Sequence, residues 1–241
     1  MEATLDQFET TAESTASPKE TMGFFDAMLR DDEVIDDMVC DTTNLTGTIQ
    51  RLLAIATAGL LLYGLALGTI LQMAQSMEIL GFAVTGTPII WMPLTLASAF
   101  LLAIAICLPS FYFYTQLSGL DASFRMITAQ SLRVQARTSL VLLGVLPFYL
   151  AWGLSTFLGF ELLATEIEFV IFAGFILPFS IGLVGLASVY ASFRRLVKRL
   201  PITHPRRGNI MLRLVLCWGA VMIAVTPVAM FRIGEYLSTV I

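Results

Sequence analysis

The sequence predicts an all-α integral membrane protein with five transmembrane helices. Of its 241 residues, 57% are hydrophobic and only 13% are charged, whereas soluble domains carry about 25% charged residues. The apolar residues gather in five runs, each close to the roughly 20 residues that a helix needs to cross the hydrocarbon layer. None of the runs contains a charged residue or histidine. They cover residues 52–71, 89–113, 138–156, 169–192 and 214–231.

The basic residues alternate between the segments that separate these runs. Thirteen of the fourteen lysines and arginines lie before the first run, between the second and third, or between the fourth and fifth. The other two connections carry none, and Arg232 alone follows the fifth run. Because cytoplasmic segments are enriched in Lys and Arg, the pattern predicts a cytoplasmic N-terminus and an outer C-terminus. Aromatic residues toward the outer ends of the runs, such as Trp91 and Tyr149, are expected at the membrane interface.

Two segments precede the transmembrane domain of residues 46–241. Residues 1–20 are acidic and rich in Ser and Thr, which predicts a disordered arm. Residues 21–45 place apolar residues at helical spacing opposite acidic ones, which predicts a cytoplasmic amphipathic helix. Since the cytoplasmic leaflet is anionic, this helix is expected to dock on protein, with the basic connection after the fourth run as the nearest candidate. A solvated acidic arm with one apolar face is the alternative.

Residues 192–213 hold seven basic residues and no acidic one. Topology alone requires only a few of these charges, so the surplus is expected to contact anionic headgroups or a protein partner. Aromatic residues interleaved with the basic ones, as in nucleic-acid sites, are missing past Phe193, so no nucleic acid is expected. The expected contact residues are Arg194, Arg195, Lys198, Arg199, Arg206 and Arg207.

A four-residue repeat occurs in two of the runs, at Gly64 and Gly68 and at Gly174, Pro178 and Gly182. Such spacing lets helix backbones approach closely, and it fits either packing within one chain or contact with another. At the outer end of the fifth run, Arg232 and Glu235 are spaced to pair on one helix face. The alternatives for Arg232 are a snorkelling side chain or an ion pair with an acid after the third run.

Prolines interrupt four of the runs, at Pro93 and Pro109, Pro147, Pro178 and Pro227. Broken helices form binding sites in secondary transporters, but transporters usually place ionisable residues there as well. Ser155 is not expected to act as a nucleophile, because the single histidine, His204, is predicted on the opposite side of the membrane. We therefore expect no enzymatic activity, no cofactor and no metal site.

The segment "ICLPSFYFYTQLSGLDASFRMITAQ" resembles one found in uncharacterised bacterial inner-membrane proteins with about five spans. The layout of a cytoplasmic N-terminal arm, five spans and a short outer tail also resembles the Yip family of vesicle-trafficking membrane proteins. These resemblances imply a multi-pass protein of the bacterial inner membrane that acts as a scaffold or accessory subunit. The residues leave open a second function, a transporter or channel component whose site is formed by proline-kinked helices.

Overall fold

The computed structural model describes residues 26, 28, 35, 37–39, 44–76, 86–117, 123–158, 167–199 and 207–240. For 184–199, 207–215, 217 and 218 it describes the backbone alone. The described residues form helices joined by short connections and contain no strand, so the all-α prediction is confirmed. The five long helices are α1 (Leu45–Ser76), α2 (Pro88–Leu117), α3 (Phe124–Phe157), α4 (Ile167–Arg199) and α5 (Arg207–Val240).

Each helix has 30 to 34 residues, which corresponds to about 45–50 Å and exceeds the roughly 30 Å of the hydrocarbon layer. Four stretches of the described residues are long and apolar enough to cross a membrane. In α4 the apolar stretch with described side chains is shorter, at Ile167–Leu183. The architecture is thus that of a multi-pass membrane protein. The four stretches are Leu45–Gln75, Pro88–Leu117, Phe124–Phe157 and Gly219–Val240.

The helices close into a ring in the order α1, α2, α5, α4, α3. The contacts of α1 with α2 and α3 are the most extensive, and those between α4 and α5 are the least extensive in the ring. Two clusters of buried side chains fill the interior. The lower cluster lies where α1 and α3 begin and includes Leu52, Cys107 and Ile127; the upper cluster includes Leu67 and Leu142. We call the corresponding parts of the bundle its lower and upper halves.

Close contact between α1 and its neighbours depends on glycine. A Cβ atom at Gly64 would lie 2.6 Å from Pro93 Cα, and one at Gly68 would lie 2.5 Å from the Pro88 carbonyl oxygen. On another face of α1, a Cβ atom at Gly59 would lie 2.6 Å from Ser139 Cβ. These distances leave no space for a side chain. The pair Gly64 and Gly68 therefore serves packing within the chain, one of the two uses that the spacing predicts.

The N-terminal segment contributes to the lower cluster. Of the predicted helix over 21–45, the described positions before residue 44 are helical, and Met28, Ile35 and Val39 are buried against α1, α2 and α3. Asp37 on the same segment is exposed. The apolar face thus packs on the bundle. The predicted contact with the basic connection after the fourth run involves side chains outside the described residues, as does the arm over 1–20.

The third helix begins much earlier than the predicted span. Helix α3 starts at Phe124 rather than near 138, with the Ser123 side chain accepting a hydrogen bond from the Met126 backbone N–H at 3.2 Å. A serine at this position satisfies one of the free amides of a helix start. The polar residues that follow resemble a solvated loop in the sequence, yet they belong to a helix enclosed by protein. The basic residues Arg194, Arg195, Lys198 and Arg199 likewise lie within α4, and Arg207 begins α5.

Candidate functional site

The lower half of α3 is a polar segment buried on every side. Positions 129–136 are all buried, and eight consecutive helical residues cover all faces of the helix. The contact between Gly59 and Ser139 and that between Ile70 and Gly153 show that α1 and α3 run side by side in the same direction. Residues 130–139 therefore lie level with the apolar stretch of α1 that starts at Leu52. The polar side chains of α3 thus lie at the same height along the bundle as the apolar side chains of α1.

One face of this segment carries polar atoms without hydrogen-bond partners. They are both side-chain amide atoms of Gln130, Gln135 Oε1 and Thr138 Oγ1. At 100° per residue these three side chains occupy an arc of about 140°. Ser139, on another face, shares its one hydroxyl proton between the carbonyls of Ala136 at 2.8 Å and Ile55 at 3.2 Å. Because an unpaired buried polar group costs about 1–3 kcal/mol, the unpartnered face is a candidate for binding.

A cavity of about 50 Å³ adjoins this face. A water molecule needs about 10–15 Å³, so the cavity accommodates about four water-sized groups. It lies within the ring, between α2, α3, α4 and α5, and glycines on α4 and α5 form part of its lining. A Cβ atom at Gly182 would meet nothing within 4 Å. The lining residues are Phe100, Val134, Gln135, Pro178, Phe179, Gly182, Leu183, Gly219, Met222, Ile223 and Thr226.

Pro178 forms part of the wall and changes the hydrogen bonding of α4. A proline lacks the N–H that would bond to the carbonyl four residues earlier, which here is that of Gly174. The Tyr63 hydroxyl, from α1, donates to this carbonyl at 2.8 Å. The Tyr149 hydroxyl, from α3, donates to the Val170 carbonyl at 3.3 Å. Tyr63 thus fixes α4 at the point where its own bonding is interrupted, and Tyr149 fixes it one turn earlier.

The two tyrosines lie side by side in the upper cluster. Tyr149, which the sequence places toward the outer end of its run, is buried there with its ring centroid 5.9 Å from that of Tyr63. Trp91 is also buried in this cluster, beside Gly234. Two sequence features are consistent with the Tyr63 hydrogen bond: a tyrosine in the middle of one apolar run and a proline in another. The sequence pattern does not show that the Tyr63 hydroxyl reaches the carbonyl that Pro178 leaves without its usual donor.

The predicted glycine sites divide between packing and the cavity. Gly174 packs so closely on the Tyr149 hydroxyl that a Cβ atom there would overlap it. Gly182 makes no such contact and lines the cavity instead. The four-residue repeat therefore correctly predicts close packing at Gly174 but does not predict the cavity at Gly182.

The predicted charged sites lie away from the cavity. Arg232 Nη1 lies 3.3 Å from Glu235 Oε2 at the upper end of α5, with both side chains more than half exposed. Exposed pairs of this kind contribute about 0–1 kcal/mol. Arg194, Arg195, Lys198 and Arg199 lie on the last turns of α4, with side chains outside the described part of the structure, and Arg206 lies outside it altogether.

No protein-family profile, curated protein or solved structure matches this chain. The cavity offers an apolar wall with an amide and a hydroxyl in it, an arrangement typical of ligand-binding pockets. The lower end of the bundle carries two charged segments, the acidic N-terminal segment and the basic last turns of α4.

Proposed function

We propose that the chain is a non-enzymatic scaffold or accessory subunit of a membrane complex, with five spans and a cytoplasmic lower end. The sided distribution of basic residues supports the topology, and α4 supplies the fifth span if its apolar sequence continues through 184–192 as a membrane segment. The resemblance to bacterial five-span proteins supports the inner membrane as its location.

The observation that carries the scaffold proposal is the position of charge at the lower end. The acidic N-terminal segment is anchored through Met28, Ile35 and Val39 in the lower cluster. Because α4 runs from the upper cluster toward the lower one, its basic last turns extend toward the same end. Charged segments on anchored helices form a preorganised surface, which lowers the entropic cost of binding a partner. Anionic headgroups are the second expected contact of the basic turns.

Purification in a mild detergent, with quantitative identification of co-purifying proteins, tests this proposal. A variant with Arg194, Arg195, Lys198 and Arg199 changed to glutamine is expected to lose the partner. The Arg232→Gln variant, changed at the other end of the bundle, is the control and is expected to retain it. A monomer that co-purifies with no protein at any salt concentration would contradict the proposal.

A transporter or channel component is the second candidate, and the cavity beside Pro178 favours it. A transport site must be reached from both sides of the membrane in turn. In a background without native cysteines, Gly182→Cys would then react with water-soluble thiol reagents added from either side. Reaction from neither side would exclude a transport pathway through this cavity.

A further inference from the structure

The cavity presents a small polar site in an apolar wall. Gln135 is 5% exposed and its Oε1 has no partner. The Thr226 hydroxyl, also lining the cavity, donates to the Met222 carbonyl at 2.7 Å, which leaves its oxygen free to accept. The other described lining residues are apolar or glycine. A ligand that fits this wall is mostly apolar and carries one hydrogen-bonding group.

The cavity reaches the outside of the ring between α4 and α5, the helices that pack least closely. Leu183 and Ile223 line it and are themselves 49% and 48% exposed. Both lie in the apolar stretches of their helices, so the opening faces the acyl chains of the bilayer. A ligand would enter from the membrane rather than from water.

A neutral hydroxyl suits the site better than a charged group. The described lining carries no charge to pair with an ionic head, and an unpaired charge in an apolar site is strongly disfavoured. A hydroxyl both donates and accepts, so it pairs with either end of the Gln135 amide.

We infer that this cavity binds an uncharged lipid alcohol, with its hydroxyl on Gln135 and its chain leaving between Leu183 and Ile223. The inference does not depend on the scaffold proposal, since no charged side chain is among the described residues that line the cavity. Gln135 and Thr226 provide the recognition, and Gly182 and Gly219 provide the space.

Photolabelling of the full chain in phosphatidylcholine nanodiscs tests the inference. The probes are a diazirine-bearing hexadecan-1-ol and its methyl ether, which lacks the hydroxyl donor. The alcohol is expected to label peptides covering 178–183 and 219–226 about tenfold more than the ether does, as one hydrogen bond to a buried group allows. Equal labelling by the two probes, or labelling of these peptides by neither, would overturn the inference.

Three variants show whether the labelling reports the cavity. Gln135→Leu is expected to remove the difference between alcohol and ether while the ether still labels. Gly182→Leu fills the space and is expected to abolish labelling by both probes, whereas Gly144→Leu, at an exposed position of α3 with the same free space around a Cβ, leaves it unchanged. If Gly182→Leu does not fold, Gln135→Leu decides alone, and an unaltered preference for the alcohol in that variant refutes the assignment.

Discussion

At Pro178 a side chain from a different helix replaces a missing backbone hydrogen bond. The Tyr63 hydroxyl pairs with the Gly174 carbonyl at 2.8 Å, which the proline leaves without its usual donor. Tyr63→Phe is therefore expected to destabilise the fold by about 1–3 kcal/mol. Reversible unfolding in mixed detergent micelles measures this change.

A double-mutant cycle isolates the hydrogen bond from other effects of the tyrosine. Pro178→Ala restores a backbone N–H that can bond to the Gly174 carbonyl, so Tyr63→Phe should cost less when it is combined with Pro178→Ala than when it is made alone. An equal cost in both backgrounds would show that the hydroxyl does not act on the carbonyl freed by the proline.

Gln130 is buried with neither amide atom paired, so an apolar side chain of the same shape is tolerated. Gln130→Met is expected to leave stability unchanged or to raise it by about 1–2 kcal/mol, because desolvation of the amide is no longer required. Ser139→Ala, which removes the hydroxyl proton shared between the Ala136 and Ile55 carbonyls, is the contrasting variant and should lower stability by about 1 kcal/mol. The same micelle unfolding assay measures both, and a marked loss of stability in the Gln130→Met variant would contradict this account.

Among the elements, the interface between α1 and α2 depends on the absence of a side chain at Gly64. Gly64→Ala places its Cβ against the Pro93 backbone and is expected to cost about 1–3 kcal/mol as the helices separate. Gly182→Ala is the matched control, since its Cβ enters free space and alanine favours a helix over glycine by about 1 kcal/mol. Thermal unfolding of the two purified variants should therefore shift in opposite directions, and equal shifts would contradict the packing argument.

The N-terminal segment behaves as an element of the fold because Ile35 is buried in the lower cluster. Ile35→Asp puts a charge in that cluster and is expected to release the segment. Limited proteolysis should then cleave before residue 44 at least tenfold faster, while Thr46→Ala, at an exposed position, leaves the rate unchanged. Resistance of the Ile35→Asp variant to cleavage would contradict the docking of this segment.

The sequence predicts where the helices lie along the chain better than it predicts which helices pack against each other. Apolar runs identify all five long helices because a helix in a bilayer needs local hydrophobicity and little else. The start of α3 is missed because Gln130 and Arg133 indicate solvent when read alone, and their burial depends on the helices around them. The contact of Tyr63 with Gly174 spans 111 residues, and the cavity at Gly182 depends on what α5 places opposite. Neither follows from spacing along the chain.

For the whole molecule, the proposed odd number of spans predicts termini on opposite sides of the membrane. In a background with Cys40, Cys107 and Cys217 replaced, Ser238→Cys should react with a membrane-impermeant maleimide in intact cells. Thr46→Cys, at the lower end, should react only after permeabilisation. Labelling of both from the same side would show an even number of spans and would remove the assignment of α4 as the fifth.

The order of the ring also bears on how the protein is made. Helix α5 is synthesised last, yet it packs between α2 and α4. Until it inserts, the faces of α2 and α4 that form the cavity wall are open to lipid, and Gln135 lacks the covering that α5 provides. The growing chain therefore passes through a stage at which the Gln135 amide faces the membrane, before α5 closes that side of the cavity.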